Sequence, residues 1–390
     1  MPNNNDRPLP AFRKILLYIT AGFFILISVW AFFYTGQTFV KKNGTLKDKL
    51  AAASETADSK LGNKLFLRDF CLEYSGLFSR VSGIRVVENL VKLDNGQLTG
   101  PCSDFDVTPA AEAVIRLDTF CRENDTPFLY INLPNKPLSD RDLTVLGVDS
   151  FMNQNEDLFL QRLTDADIDW LDLRGPVLSC FDDPYDCFYR TDHHWTPEAG
   201  LLAAGFITRE LHERYGLPVE SDRLDPDKYE TTRLKNIFLG ETGKKTGAVF
   251  AGSEDLLIIQ PSFPTHLTLS IPNKKIDKTG DFSICLDQSR LQNMSLHKSN
   301  LYYAYMYGND ALQQFHNEDA EGGRVLIVKD SFSQVVSPYL AMGIRDLTCW
   351  DVRDNSASLL DHIKENDYDL VIVMYSANMI KSPGHMYRFE

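Results

Sequence analysis

The sequence predicts an α/β fold, a parallel sheet flanked by helices, interrupted by a β-rich insertion and preceded by one membrane-crossing helix. Three observations predict it. Short apolar runs at Phe128–Leu133, near Ile168–Leu173, at Val325–Val328 and at Tyr368–Met374 alternate with stretches of helical length. About residues 225–300 break that alternation with apolar pieces punctuated by Thr, Ser and Pro. Ile15–Tyr34 is an almost uninterrupted apolar run, and its length matches the ~20 residues that cross a bilayer.

In chain order, residues 1–14 read as a cytoplasmic tail and residues 15–35 as the anchor. Tyr18, Trp30 and Tyr34 suit the two interfaces, and Arg13 and Lys14 flank the start. Val29-x-Ala31 offers a small-residue cleavage site, but the apolar residues continue past it, which favours an uncleaved anchor. Residues 36–62 form a Lys-, Ala- and Ser-rich stalk with some helical character, and residues 63–390 the catalytic domain. There Thr108 caps a helix with Pro109 at its first position, running to Cys121, and Phe128–Leu133 follows as a buried strand. A helix near Glu156–Leu163 leads to the strand near Ile168–Leu173. Thr196 caps a helix that begins at Pro197, carries Glu198 in its first turn and stops at Gly216. Leu256–Gln260 and His266–Ile271 read as hairpin strands of the insertion. Alternation then resumes: a strand at Val325–Val328, partial helix over Ser333–Met342, a helix over Ser356–Glu365, and the late strand.

Composition is that of a folded protein, with 43% hydrophobic and 24% charged residues. A formal net charge of −14 argues against a nucleic-acid ligand, because a phosphate backbone requires a basic face. The seven cysteines show no C-x-x-C spacing. Cys180 and Cys187 bracket a segment short enough for a small disulfide loop in an oxidising compartment, with buried free thiols as the equal alternative.

Two motifs carry chemistry. Thr191-Asp192-His193-His194-Trp195 supplies a carboxylate and an imidazole two residues apart, just before a helix. Lys329-Asp330-Ser331-Phe332-Ser333 places serines directly after a strand. A serine hydroxyl becomes a nucleophile when a histidine takes its proton and a carboxylate orients that histidine. A serine on a strand-to-helix turn can also offer its own N–H to an oxyanion, although such serines more often cap helices. Adjacent histidines on a regular element point in different directions, so one of His193 and His194 is expected in the site and the other elsewhere. Metal binding is the weaker reading: Asp192 plus one histidine needs a further ligand, and the remaining histidines lack ligand spacing. Gly308 and Asn309 offer close backbone approach and an amide for an oxyanion, or a plain turn. Arg353 pairs with Asp351 or supports the site, and Lys136 contacts substrate or is solvated.

These stretches, together with Asp351-x-Arg353 and the closing strand, resemble the bacterial DHHW family, itself similar to the SGNH-hydrolase-like alginate O-acetyltransferases. The resemblance spans about residues 65–385. It implies an SGNH-hydrolase-like fold in which Asp192 and His194 match the Asp-x-His-Trp motif, with His193 at its variable position. Ser331 matches the nucleophile and Ser333 the second serine. Lys329 stands where the alginate enzymes carry glycine. Asn309, Gly308, His193, Ser333, Lys136 and Arg353 are the candidates for oxyanion or substrate contacts. The implied activity is a serine O-acetyltransferase or acetylesterase without cofactor or metal. It would act outside the cytoplasm, from the cell membrane, on a surface polysaccharide or exopolysaccharide, with a membrane-bound O-acyltransferase delivering the acyl group. The competing reading is a noncatalytic, membrane-anchored glycan-binding or scaffold protein of a polysaccharide-modification complex.

Overall fold

The structure, a computed structural model, describes residues 11–42, 44–55 and 68–389. It divides into two compact units, Met1–Leu72 and Glu73–Glu390. The first contains a helix over Ala11–Lys41 and a second over Leu46–Glu55. The expected tail at 1–10 and the end of the stalk at 56–62 lie outside the described residues. The expected span Ile15–Tyr34 falls within the first helix, part of whose side chains are also outside the description. Among the described residues no helix is long and apolar enough to cross a membrane, so the structure does not establish the anchor.

In the second unit, β1 (Val86–Val87), β2 (Leu90–Lys92) and β3 (Leu98–Thr99) form a small antiparallel sheet. The central sheet uses β4 (Phe128–Leu133), β5 (Trp170–Asp172), β8 (Leu267–Ile271), β9 (Ile276–Gly280), β10 (Leu312–Asn317), β11 (Arg324–Lys329), β12 (Asp346–Trp350) and β13 (Leu370–Ser376). Its order is β5-β4-β13-β11-β12-β10-β8-β9. The first five strands in that order are mutually parallel. From β12 outward every pairing is antiparallel.

The sheet is therefore mixed, which corrects the expectation of a parallel one. The expected insertion is corrected with it. Only β6 (Tyr229–Phe238) and β7 (Glu254–Pro261) form a separate antiparallel pair, whereas β8 and β9 extend the central sheet through β10. The reason is local: β8 alternates buried and half-buried residues, the pattern of a strand with one face on a core, and β10 supplies the paired edge.

The parallel strands are covered on both faces, as such sheets require. Alternate residues of β4, β11 and β13 enter opposite cores. Leu129, Ile131, Ile327, Ile372 and Met374 face one that includes Ala199, Ile207, Leu211 and Leu340 from the helices Pro197–Tyr215 and Ser337–Gly343. Phe128, Tyr130, Leu326, Val328, Val371 and Val373 face the other, with Val114, Leu117, Phe159, Leu163 and Ile363 from Thr108–Glu123, Met152–Asp165 and Leu359–Glu365. Each fully buried Val, Leu or Ile contributes about 1.5–3 kcal/mol, which is why these runs are mostly apolar.

Of the two expected helix caps, one holds. The Thr196 hydroxyl accepts from Ala199 N, and Gly216 closes that helix in the left-handed region at φ 65°. Thr108, by contrast, is the first helical residue rather than the cap, and its N–H donates to Asp106 Oδ1 at 2.9 Å. All seven cysteines are free; Cys187 is buried and Cys180 exposed, so the disulfide reading does not hold.

Candidate active site

The carboxyl ends of β4, β11, β12 and β13 lie together because those strands are parallel and in register. β11 ends at Lys329, and Asp330 caps the 3-10 turn Ser331–Val335 that follows. The Asp330 Oδ1 accepts from Phe332 N at 2.9 Å. Its Oδ2 accepts from Ser376 N at 2.9 Å and Ser376 Oγ at 2.8 Å. The serine turn is thus tied to the end of β13. Ser331 is partly exposed, while Asp330 is fully buried.

Residues 187–196 form a tight loop back to the helix at Pro197. Tyr189 N donates to His194 O, and Thr196 N to Cys187 O. The buried Trp195 donates from Nε1 to Phe332 O at 2.9 Å, which joins this loop to the serine turn. Beyond it, a Cβ on Gly200 would lie 2.1 Å from Val335 O, so only glycine lets the helix approach the turn this closely.

Between these segments His194 Nε2 lies 2.8 Å from Ser331 Oγ, and His194 Nδ1 lies 2.8 Å from Asp192 Oδ1. Tyr302 stacks on the His194 ring at 4.1 Å and 16°, and Phe332 closes another side at 5.2 Å. Burial, and then the neighbouring His193, hold the His194 imidazole below its usual range, against the pull of Asp192. Burial alone would raise Asp192, but His194 and the hydrogen bonds from both histidines more than offset it. The carboxyl is held well below the usual range. A neutral imidazole flanked by an anion and a hydroxyl can accept a proton from that hydroxyl.

The acid is clamped by residues that carry no motif. Asp192 Oδ2 accepts from Glu241 N at 3.0 Å, and a Cβ on Gly240 would lie 2.3 Å from Asp192 Cβ. Glu254, at the start of β7, accepts from Arg190 N, Thr191 N and Thr191 Oγ1. Nothing in the sequence distinguished Glu254 from a surface acid. Trp195 and Tyr302 were equally unassigned, although Trp195 sits inside the motif.

The other expected site residues divide. His193 faces the acid as well: its Nδ1 is 3.1 Å from Asp192 Oδ1 and its ring centroid 3.8 Å from that of His194. The two histidines do not diverge as expected, because residues 192–194 are an irregular bend rather than a helix or strand. Ser333 does not join the site; its buried hydroxyl donates to Asp330 O at 2.8 Å. Lys136 neither contacts solvent nor reaches the relay. It is buried and donates to Gln97 Oε1 at 2.9 Å and Tyr189 O at 2.8 Å, and burial pushes its ammonium down to about 8. Asn309 sits between Lys329, whose Nζ donates to its Oδ1, and Asp351, which accepts from its amide. Lys329 is fully buried, 3.7 Å from Asp351. Arg353 donates to both oxygens of Asp351 and lines a cavity of about 580 Å³ with Trp350, Asp354 and Arg388; Ser331 is not among the lining residues. Gly308 has φ 84°, and a Cβ there would strike Tyr303 at 2.7 Å. Met306 and Tyr307 before it are also left-handed, a conformation bulky residues adopt under strain.

Among the described residues, Asp192, His193 and His194 place one ligand atom each within 4.8 Å of one another. Four N–H or ring-nitrogen atoms converge on Asp192 Oδ1. That is an acceptor surrounded by donors, which does not fit ligands arranged around a cation.

Comparison with known proteins agrees with the family resemblance. Residues 122–241 match the family model for the SGNH hydrolase-like domain of the acetyltransferase AlgX. No curated protein matches in sequence. Two structures of Bacillus cereus PatB1, one with a sulfonyl adduct, superpose with TM-score 0.61 at 17% and 18% identity, covering 77% of this chain and 99% of PatB1. A DHHW family protein from Eubacterium siraeum superposes with TM-score 0.58 at 16% identity, covering 76% of this chain and 93% of that one.

Proposed function

We propose that this chain, whose core carries an SGNH hydrolase-like domain, is a serine O-acetyltransferase or acetylesterase of a surface polysaccharide. One observation carries the reading: Ser331 Oγ, His194 and Asp192 form a continuous relay at 2.8 Å and 2.8 Å, with the hydroxyl partly exposed and the imidazole buried behind it. Ser331 Oγ attacks the acyl carbonyl carbon while His194 Nε2 takes its proton, and Asp192 stabilises the imidazolium. The Ser331 backbone N–H, at the head of the 3-10 turn, is the proposed oxyanion donor. The tetrahedral adduct expels the leaving group, which takes the proton from His194, and an acetyl-serine remains. A sugar hydroxyl then attacks and gives its proton to His194; the acyl–Oγ bond breaks, Ser331 Oγ takes that proton back from His194 Nε2, and the sugar leaves acetylated, while water in its place gives hydrolysis.

The proposed setting is the outer side of a membrane, where a membrane-bound O-acyltransferase supplies the acyl group and a polysaccharide hydroxyl receives it. The apolar run Ile15–Tyr34, of bilayer-crossing length, is what supports an anchor in that setting.

Release of nitrophenol from an acetyl ester tests the reading. Ser331→Ala should abolish it, by at least a thousandfold, and should abolish labelling by a sulfonyl fluoride, with the fold unchanged by circular dichroism. Turnover that survives the substitution overturns the assignment.

A further inference from the structure

The two histidines beside Asp192 share one acceptor. His194 Nδ1 is 2.8 Å and His193 Nδ1 3.1 Å from the same oxygen, Oδ1. The backbone N–H groups of both residues also point at it, at 2.7 Å from His193 and 3.2 Å from His194. The rings lie against each other, centroids 3.8 Å apart and tilted by 36°. They differ in access to water: the His193 side chain is 35% exposed and that of His194 4%.

We propose that His193 is a positioning residue that sets the protonation of His194, by sharing the oxygen of Asp192 that orients the base and by lying ring to ring with it. This rests on the reading of His194 as the catalytic base. A proton on His193 places a positive charge beside the base and draws on the carboxylate charge that would otherwise stabilise a His194 imidazolium. Both effects lower the affinity of His194 for a proton. The direction agrees with the lowering of His194 already described, where His193 is the largest cause after burial.

The other charged groups around the pair are accounted for. Asp330, on the serine turn, is bonded to Phe332 and Ser376 and favours the charged base. Glu254 is engaged by Arg190 and Thr191. Lys136 is held by Gln97 and Tyr189, and Lys244 by Ser299 O. The Phe332 ring, at 6.1 Å, and Tyr302, stacked on His194, bring no titrating charge near neutral pH.

The experiment follows the imidazole nitrogens by NMR during a pH titration of the full chain carrying Ser331→Ala, alone and combined with His193→Gln or His193→Phe. The phenylalanine variant keeps a ring against His194 and removes the charge. Both substitutions should move the His194 midpoint up by about one pH unit, a tenfold gain in proton affinity. In the Ser331 background, the acid limb of kcat/KM for an acetyl ester should move up with it. A His194 midpoint that stays in place with either substitution overturns the proposal. So does a rise in KM with the acid limb fixed, which would make His193 a substrate contact. Failure is separable from that of the proposed function. Absence of ester turnover with a shifted midpoint rejects the enzyme and keeps the electrostatic coupling; turnover with a fixed midpoint does the reverse.

Discussion

Trp195 belongs to the motif that carries the proposed base, and its indole N–H ends on the carbonyl of Phe332, one residue past Ser331. That bond joins segments 137 residues apart in the chain. Trp195→Phe keeps most of the ring and removes the indole bond between the two segments, at a cost of about 0.5–1.5 kcal/mol. A lower unfolding temperature is expected, and a fall in kcat larger than any change in KM, because the hydroxyl and imidazole lose their common brace; equal losses in both would place Trp195 in substrate binding instead. Asp192, His194 and Ser331 were legible as a trio because each lies in a short motif whose chemistry needs the others. The partners of Lys136 and Ser333 were not legible, for one reason. Their partners, Gln97 and Tyr189 for the lysine and the Asp330 carbonyl for the serine, are settled by folding and leave no local pattern. Acidity should also tell on stability. The unfolded chain takes up a histidine proton near its ordinary pKa, ahead of the depressed His194 in the fold, so the folded state loses ground as pH falls through that range.

Among the elements, the strands that carry the site were the easiest to read. β4, β11 and β13 are buried on both faces and so appear as largely apolar runs. β10 and β12 were missed. β10, Leu-Gln-Gln-Phe-His-Asn, pairs on both sides yet spends polar side chains on it: Gln313 donates to Met306 O and Gly308 O, and Asn317 to Ala341 O. Polar groups with buried partners look the same in sequence as polar groups in water. The helix Met152–Asp165 holds a comparable surprise. Glu156 is buried against Asn132, and burial, eased by Arg174, pushes its carboxyl up to about 7. The Asn132 Oδ1 has no hydrogen-bond partner among the described residues. A raised carboxyl pKa stabilises the fold below the unfolded value and loses that contribution as pH climbs toward 7. Glu156→Gln should therefore raise the unfolding temperature at pH 8 and change it little at pH 5. An equal effect at both would mean that Glu156 is charged and well compensated throughout.

At the scale of the molecule, five parallel strands present the serine turn, and an antiparallel wing of β10, β8 and β9 closes one side. The compact unit from Glu73 onward contains every residue of the proposed relay and its clamps. A chain beginning at Arg68 should accordingly keep its turnover of a soluble acetyl ester within about twofold of the full chain, measured with enzyme in solution. A tenfold loss would mean that residues before Arg68 take part in the chemistry. The wing also reaches the other end of the site. Lys274, beyond the end of β8, donates to the carbonyls of Tyr307 and Asn309 on either side of Gly308, and the Asn309 amide in turn bonds Lys329, two residues before Ser331. Residues 267–280 are for that reason a poor cassette for chimera building. A graft that imports a foreign hairpin without the matching 301–310 loop would release the left-handed turn at 306–308, whereas the two segments exchanged together would travel as one module.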